Sequence, residues 1–237
     1  MKLAWIDPDQ ALPSADLALR RPNGLLAAGR DLSPARLLEA YRKGIFPWYS
    51  RGEPVLWWSP DPRMVLFLDE FRVTRSFGKT LRSVGRTRPW RLSLDACFER
   101  VMQECAAPRP DQPGTWITPE IMQSYVGLHR MGCAHSIEVW AQDDLIGGLY
   151  GVSIGRMFFG ESMFSRVPEA SKVALAALVR ALRTLGFRMI DCQQNTAHLA
   201  SFGARELPRA EFTHMVSELC ALPAPDWSGL SLAAFDA

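Results

Sequence analysis

The chain has 237 residues, 48% of them apolar and 22% charged, proportions of a folded globular protein that exclude wholesale disorder. Set against a domain size of roughly 150 residues, that length allows one large domain or two unequal ones, with enough chain to bury a core without staples. Twenty-seven basic residues stand against 25 acidic ones, a net charge of +2, so any contact with nucleic acid must come from the placement of charge and not from its total.

The first predicted element is a helix. Ser33 suits its N-cap, Pro34 its first position, and Leu37, Leu38 and Tyr41 recur at helical spacing before Gly44 stops it. There follow Gly44-Ile45-Phe46-Pro47-Trp48-Tyr49 and Trp57-Trp58-Ser59-Pro60-Asp61-Pro62-Arg63, too rich in proline for a long helix or a central strand. A small N-terminal α+β domain over residues 1–63 is expected. Residues 72–91 then carry Arg72, Arg75, Lys79, Arg82, Arg86, Arg88 and Arg91 with no acid among them. Such a run is either a solvated face or a patch that contacts phosphates.

Thr118-Pro119 opens a second helix by the same cap-then-proline logic, with Ile121, Met122, Tyr125 and Leu128 as its buried stripe and Gly132 as its stop. The period then changes. Residues 136–141, 145–153 and 156–163 are β-branched or aromatic runs broken at Gln142-Asp143-Asp144 and Ile154-Gly155, which predicts an antiparallel three-stranded meander. Pro168 is expected to begin a long helix, with Val173, Ala177, Leu178, Ala181, Leu182 and Leu185 on its apolar face and Gly186 at its end. Residues 187–193 read as a further strand. Residues 64–237 would thus form an α/β domain, a mixed sheet with packed helices, compatible with the N-acyltransferase (GNAT-like) fold.

Five cysteines with no C-x-x-C pair argue against a disulfide framework or a zinc ribbon and for a reducing compartment. Asp7, Pro8, Asp9 and Pro13 break any signal-peptide core, and Arg180 and Arg183 interrupt the longest apolar helical region. A cytoplasmic protein without a membrane span is expected. The four histidines show no H-x-x-x-H spacing, so no metal site is expected.

Two carboxylates stand out. Alternation along the last strand puts Asp191 and Gln193 on one face and Ile190 and Cys192 on the other. A carboxylate beside an amide carbonyl can hold an incoming amine; the alternative is a strand-end acid bonded to a loop amide. Glu161 lies in Met157-Phe158-Phe159-Gly160-Glu161-Ser162-Met163-Phe164, where an ionised group is costly unless it meets a cation. That cation is either a local arginine such as Arg166 or a group on a substrate. Leu149, Phe158, Met163, Leu178 and Ile190 read by themselves as core. Trp48 and Trp116 sit in loops, where they either plug a domain seam or stack nucleobases at roughly 1–3 kcal/mol each. Cys192 reads as inert packing. Ser162 and Ser165 lack a nucleophile elbow, and there is no Walker loop or dinucleotide fingerprint. No Q/R-x-x-G-x-G/A loop follows the meander, which disfavours coenzyme A.

Taken together, these blocks make the sequence resemble the bacterial leucyl/phenylalanyl-tRNA–protein transferases. The resemblance runs through Pro22-Asn23-Gly24-Leu25-Leu26, Asp31-Leu32-Ser33-Pro34, Gly44-Ile45-Phe46-Pro47-Trp48, Leu56-Trp57-Trp58-Ser59-Pro60-Asp61-Pro62-Arg63, Gly114-Thr115-Trp116-Ile117-Thr118, His135-Ser136-Ile137-Glu138-Val139-Trp140, Gly147-Gly148-Leu149-Tyr150-Gly151-Val152, Phe159-Gly160-Glu161-Ser162-Met163-Phe164-Ser165-Arg166 and Ile190-Asp191-Cys192-Gln193. It implies transfer of Leu or Phe, and less well Met, from aminoacyl-tRNA to proteins with N-terminal Arg or Lys, tagging them for degradation, without a cofactor. By position in the motifs, Asp191 and Gln193 would orient and activate the attacking amine and Glu161 would lie by the acceptor peptide. Trp48 and Trp116 would hold the terminal adenosine, and Leu149, Phe158, Met163, Leu178 and Ile190 would line the donor side-chain pocket. Arg75, Lys79 and Arg82 would meet the tRNA backbone. Leu149 and Leu178 replace a methionine and a phenylalanine of some relatives, which leaves the Leu-versus-Phe preference open. The readings set against this one are a coenzyme A-dependent N-acyltransferase and a non-catalytic RNA-binding module.

Overall fold

The computed structural model describes residues 3–108 and 115–232, so Gly114 and the extreme termini lie outside the described residues. The chain begins with β1 (Ala4–Ile6), β2 (Leu25–Gly29), α1 (Pro34–Arg42), β3 (Phe46–Pro47) and β4 (Val55–Trp58). The four strands form a small sheet in the order β1-β2-β4-β3. Ser33 caps α1 as expected, its Oγ accepting the Arg36 N–H at 3.3 Å, and Leu37, Leu38 and Tyr41 are buried.

The second sheet has seven strands: β5 (Arg63–Phe67), β6 (Trp90–Leu94), β7 (Ala134–Ala141), β8 (Asp144–Ile154), β9 (Met157–Ser165), β10 (Met189–Gln193) and β11 (Arg205–Leu207), in the order β11-β5-β10-β9-β8-β7-β6. Six helices accompany it: α2 (Arg75–Ser83), α3 (Phe98–Ala106), α4 (Pro119–Arg130), α5 (Ala170–Thr184), α6 (Ala197–Ser201) and α7 (Arg209–Cys220). The predicted meander is β7-β8-β9, antiparallel throughout. At its bulge, Gly151 lies so close to β9 that an added Cβ would stand 2.3 Å from the Phe159 carbonyl and 2.5 Å from Phe158 Cε1. Only glycine fits there, and the ring of Phe158 occupies the space.

The long helix starts two residues later than expected, because Glu169 takes a left-handed φ of +76° before α5 begins at Ala170. This helix connects β9 to β10 as a parallel crossover. The two strands pair only at Ile190↔Phe158 and Asp191↔Phe159. In the same register Cys192 and Gln193 would oppose Gly160 and Glu161, but the strands part first and a hollow opens between them.

Helices cover both faces of the large sheet. On one side α2 and α5 bury Phe77, Leu81, Val173 and Leu178 with Phe158. On the other, Val101 of α3, Tyr125 of α4 and Phe212 of α7 pack in one cluster with Tyr41 and Trp57 of the small sheet's layer. The core of the small sheet is therefore continuous with one face of the large one. No described helix is long and apolar enough to cross a membrane.

Candidate active site

Where β9 and β10 part lies a cavity of about 710 Å³. Its apolar end is built by register. Leu149 on β8 sits opposite Met163 on β9, and Phe158 on β9 opposite Ile190 on β10. Leu178 of α5 faces them from the covering helix, and all five residues line the cavity. Glu161 and Gln193 line it too, and Trp48 and Trp116 stand in its wall.

Glu161 is held by donors, not by a cation. Its Oε1 accepts from the Tyr41 hydroxyl at 2.6 Å and from Gln193 Nε2 at 3.0 Å, and its Oε2 accepts from the Tyr125 hydroxyl at 3.1 Å. The two tyrosine oxygens are also in hydrogen-bond contact with each other; each hydroxyl has a single proton, so all three contacts are made together only when the Glu161 carboxyl carries a third. The local arginine considered as its partner, Arg166, pairs instead with Glu104, Nε to Oε2 at 3.0 Å. Burial raises the Glu161 carboxyl to about 8 and outweighs the two tyrosine hydrogen bonds that favour its charged form. Burial also holds the hydroxyls of Tyr41 and Tyr125 well above the usual phenol range, so both remain donors.

Asp191 differs from its expected placement. Alternation would put it on one face with Gln193, but a bulge falls between the two and Gln193 takes a left-handed φ of +61°. Gln193 therefore turns into the cavity beside Cys192, whereas Asp191 is fully buried behind it and does not line the cavity. There Asp191 meets Arg63, with Nε to Oδ1 at 2.8 Å and Nη2 to Oδ2 at 2.7 Å. The guanidinium also donates to the Gly44 carbonyl at 3.1 Å and lies between the rings of Phe46 and Phe212, at 4.7 and 4.6 Å. Asp191 keeps one link to the cavity: its Oδ1 accepts the backbone N–H of Gln193 at 2.9 Å. This bond holds Gln193 in a conformation that non-glycine residues rarely adopt.

Arg63, Tyr41 and Tyr125 are the members that sequence reasoning missed. Both tyrosines read as ordinary positions on apolar stripes. A signal was present nonetheless, since a buried phenol must find a partner and a lone glutamate among aromatic residues must find donors. Arg63 closes the Trp-Trp-Ser-Pro-Asp-Pro-Arg block, and nothing local marks it as buried.

The indole of Trp48 is 42% exposed and meets Trp58 edge-on at 5.5 Å, while Trp58 Nε1 donates to the Trp48 carbonyl at 2.7 Å. Arg75, Lys79 and Arg82 are exposed along one side of α2 and take part in no ion pair among the described residues. The helix packs through Phe77 against Phe202 just after α6, with ring centroids 6.0 Å apart. His198 and Leu199 of α6 border the cavity. Burial pushes the Cys192 thiol far above its usual range, in keeping with inert packing. Among the described residues no three His, Cys, Asp or Glu side chains are grouped to hold a metal ion.

Comparison with known proteins gives a consistent picture. A family model described as leucyl/phenylalanyl-tRNA protein transferase matches residues 65–217, and that of the transferase N-terminal domain matches residues 30–61. A leucyl/phenylalanyl-tRNA–protein transferase of Bordetella petrii is 55% identical over 232 residues, covering 96% of this chain and 92% of its own. The Nitrosomonas europaea protein of that name is 56% identical over 215 residues, covering 91% and 89%. Among solved structures, L-PGS from Bacillus licheniformis covers 73% of this chain and 54% of its own at 8% identity and a TM-score of 0.39, too loose a likeness to argue from.

Proposed function

The chain belongs to the leucyl/phenylalanyl-tRNA–protein transferase family and is an aminoacyltransferase; from that premise we propose which groups it joins and how. It moves leucine or phenylalanine, and methionine less well, from aminoacyl-tRNA to the α-amino group of proteins beginning with arginine or lysine. The product is thereby tagged for degradation, and the reaction belongs to the cytoplasm. The observation that carries this reading is a single cavity that joins an apolar end, a carboxylate–amide pair and a wall of two indoles. The β9-α5-β10 crossover with its parted strands supports an N-acyltransferase-like (GNAT-like) domain over residues 64–237, with residues 1–63 as the smaller N-terminal domain.

The donor is already activated as an ester, so the protein's main task is alignment, worth up to roughly 7–11 kcal/mol in favourable cases. The amine nitrogen bonds to the ester carbonyl carbon, the carbon–oxygen bond to the ribose breaks, and a proton from nitrogen ends on the ribose hydroxyl. An α-amino group titrates near 7.7–8.0, so a useful fraction is neutral without a strong base. Because Gln193 spends its Nε2 on Glu161, its Oε1 is left to accept a hydrogen bond from the attacking amine. Asp191 acts through Gln193: it fixes the turn that presents this carbonyl. Glu161 faces the cationic side chain of the acceptor, whose charge draws its carboxyl towards the ionised form.

Trp48 and Trp116 stack the terminal adenosine, and the exposed stripe of Arg75, Lys79 and Arg82 follows the tRNA backbone. Leu149, Phe158, Met163, Leu178 and Ile190 receive the donated side chain. An apolar pocket separates methylene-scale differences by only about 1–3 kcal/mol, which is why methionine leaks through. The direct test is to incubate the protein with Leu-tRNA and a peptide beginning with Arg, then weigh the peptide. A mass gain of one leucyl residue is expected. No gain, or an acetyl gain when acetyl-CoA is supplied, refutes the reading.

A further inference from the structure

After α7 the chain turns back over the large sheet, and residues 221–232 lie beyond the stretch that the family model matches. Trp227 in this segment is buried, at 7% exposure. Its indole stacks on His135, with centroids 4.0 Å apart and planes at 17°. It also meets Phe187 at 5.8 Å and Phe158 at 6.2 Å. His135 is a fixed platform, since its Nδ1 bonds Asp95 Oδ2 at 2.7 Å. Leu230 and Leu232 pack on the same core.

Phe158 is the residue common to this cluster and the cavity. Its ring rests on Gly151, where a Cβ would come within 2.5 Å, and Trp227 adjoins it within the core shared with α5. Its own surface lines the apolar end of the cavity. Interiors are packed closely enough that such a ring stays where its neighbours put it. Removing the indole leaves space into which the ring can withdraw, and the cavity deepens at its closed end.

We propose that Trp227 is a positioning residue that sets the depth of the donor side-chain pocket through Phe158, so that the C-terminal segment tunes which amino acid is transferred. This rests on the donor-pocket reading above. A merely structural tryptophan would lower transfer of every donor alike. A residue that sets pocket depth changes the ratio between donors.

The experiment is a competition among Leu-, Met- and Phe-tRNA for one Arg-starting peptide, using the full chain with Trp227→Phe, Trp227→Leu and Trp227→Ala, each checked by thermal melting. The Phe-to-Leu ratio should rise as the side chain shrinks, least for Trp227→Phe and by about threefold for Trp227→Ala, well below the roughly 10- to 200-fold of a methylene in direct contact. If Trp227→Ala does not fold, Trp227→Leu against Trp227→Phe decides. Constant ratios in the folded variants, or equal loss for all donors, overturn the proposal. Phe158→Ala separates the two levels. If it shifts the ratio while the Trp227 series does not, this inference alone falls; if it does not, the donor-pocket reading falls and takes this inference with it.

Discussion

Arg63 and Asp191, 128 positions apart, meet as a bidentate ion pair with both side chains wholly removed from solvent. The pair stands directly behind the amide that faces the cavity, tied to it by the bond from the Gln193 N–H to Asp191. A buried pair of this kind contributes little net stability when whole, yet losing one partner strands a charge.

Asp191→Leu should therefore destabilise the fold by about 3–5 kcal/mol, because Arg63 loses its counter-charge and the Gln193 N–H loses its acceptor. Adding Arg63→Met should restore much of that loss in urea unfolding. Activity should not return with stability, because Gln193 is no longer held in its turn. A misplaced group costs on the order of 10²-fold in rate, so kcat should fall by about that factor while the KM for the acceptor changes little. Recovery of kcat in the double variant would remove Asp191 from the positioning role.

Glu161 makes a pH-dependent prediction. Burial raises its carboxyl from an ordinary 4.5 to about 8 in the folded protein, so the folded state holds a proton that the unfolded chain has already released. Stability must then fall as pH rises between those values and level off above about 8. Glu161→Gln lacks this group, so its Tm relative to the wild type should climb from pH 5 to pH 8 and stay constant beyond. A difference independent of pH would show that the carboxyl is not raised. In transfer assays the same variant should lose discrimination for Arg- and Lys-starting peptides more than donor affinity.

Met163 lies opposite Leu149 at the apolar end of the cavity. Met163→Ala should favour the bulkier donor, raising the Phe-to-Leu transfer ratio by about tenfold, the lower end of what a methylene-scale change commands. Competition between the two charged tRNAs measures it. An unchanged ratio would place the donated side chain elsewhere.

Replacing Arg75, Lys79 and Arg82 together with Ala should raise the KM for aminoacyl-tRNA and leave the KM for peptide alone. Each phosphate contact contributes roughly 0.7–0.9 to the slope of log affinity against log salt, so the slope should flatten by about 2–3 if all three engage. An unaltered slope would return this stripe to an ordinary solvated face.

Trp48→Ala should weaken donor binding by about 1–3 kcal/mol if its exposed indole stacks a base. A short aminoacylated CCA fragment should show the same loss as the intact tRNA. Equal binding of the fragment by wild type and variant would leave Trp48 as a wall of the cavity and nothing more.

Local chemistry was readable from the residues alone. Ser33-Pro34 and Thr118-Pro119 start helices because a side-chain oxygen and a proline each suit one position of the first turn. The meander was legible for the same reason, since period-2 runs separated by short polar turns leave few other solutions. The blocks that carry the family resemblance were legible as well, and with them the residues that line the cavity. Three things waited for the tertiary structure. Asp191 faces Arg63 and not the cavity, because one bulge reverses the alternation that period counting assumes. Tyr41, Tyr125 and Glu161 form one network although they come from α1, α4 and β9, and a hydrogen-bond partner far along the chain leaves no periodic trace. Trp227 reaches Phe158 only because the last described segment folds back. Spacing along a chain encodes which face a side chain takes within its own element; which side chain it meets from another element is decided by packing.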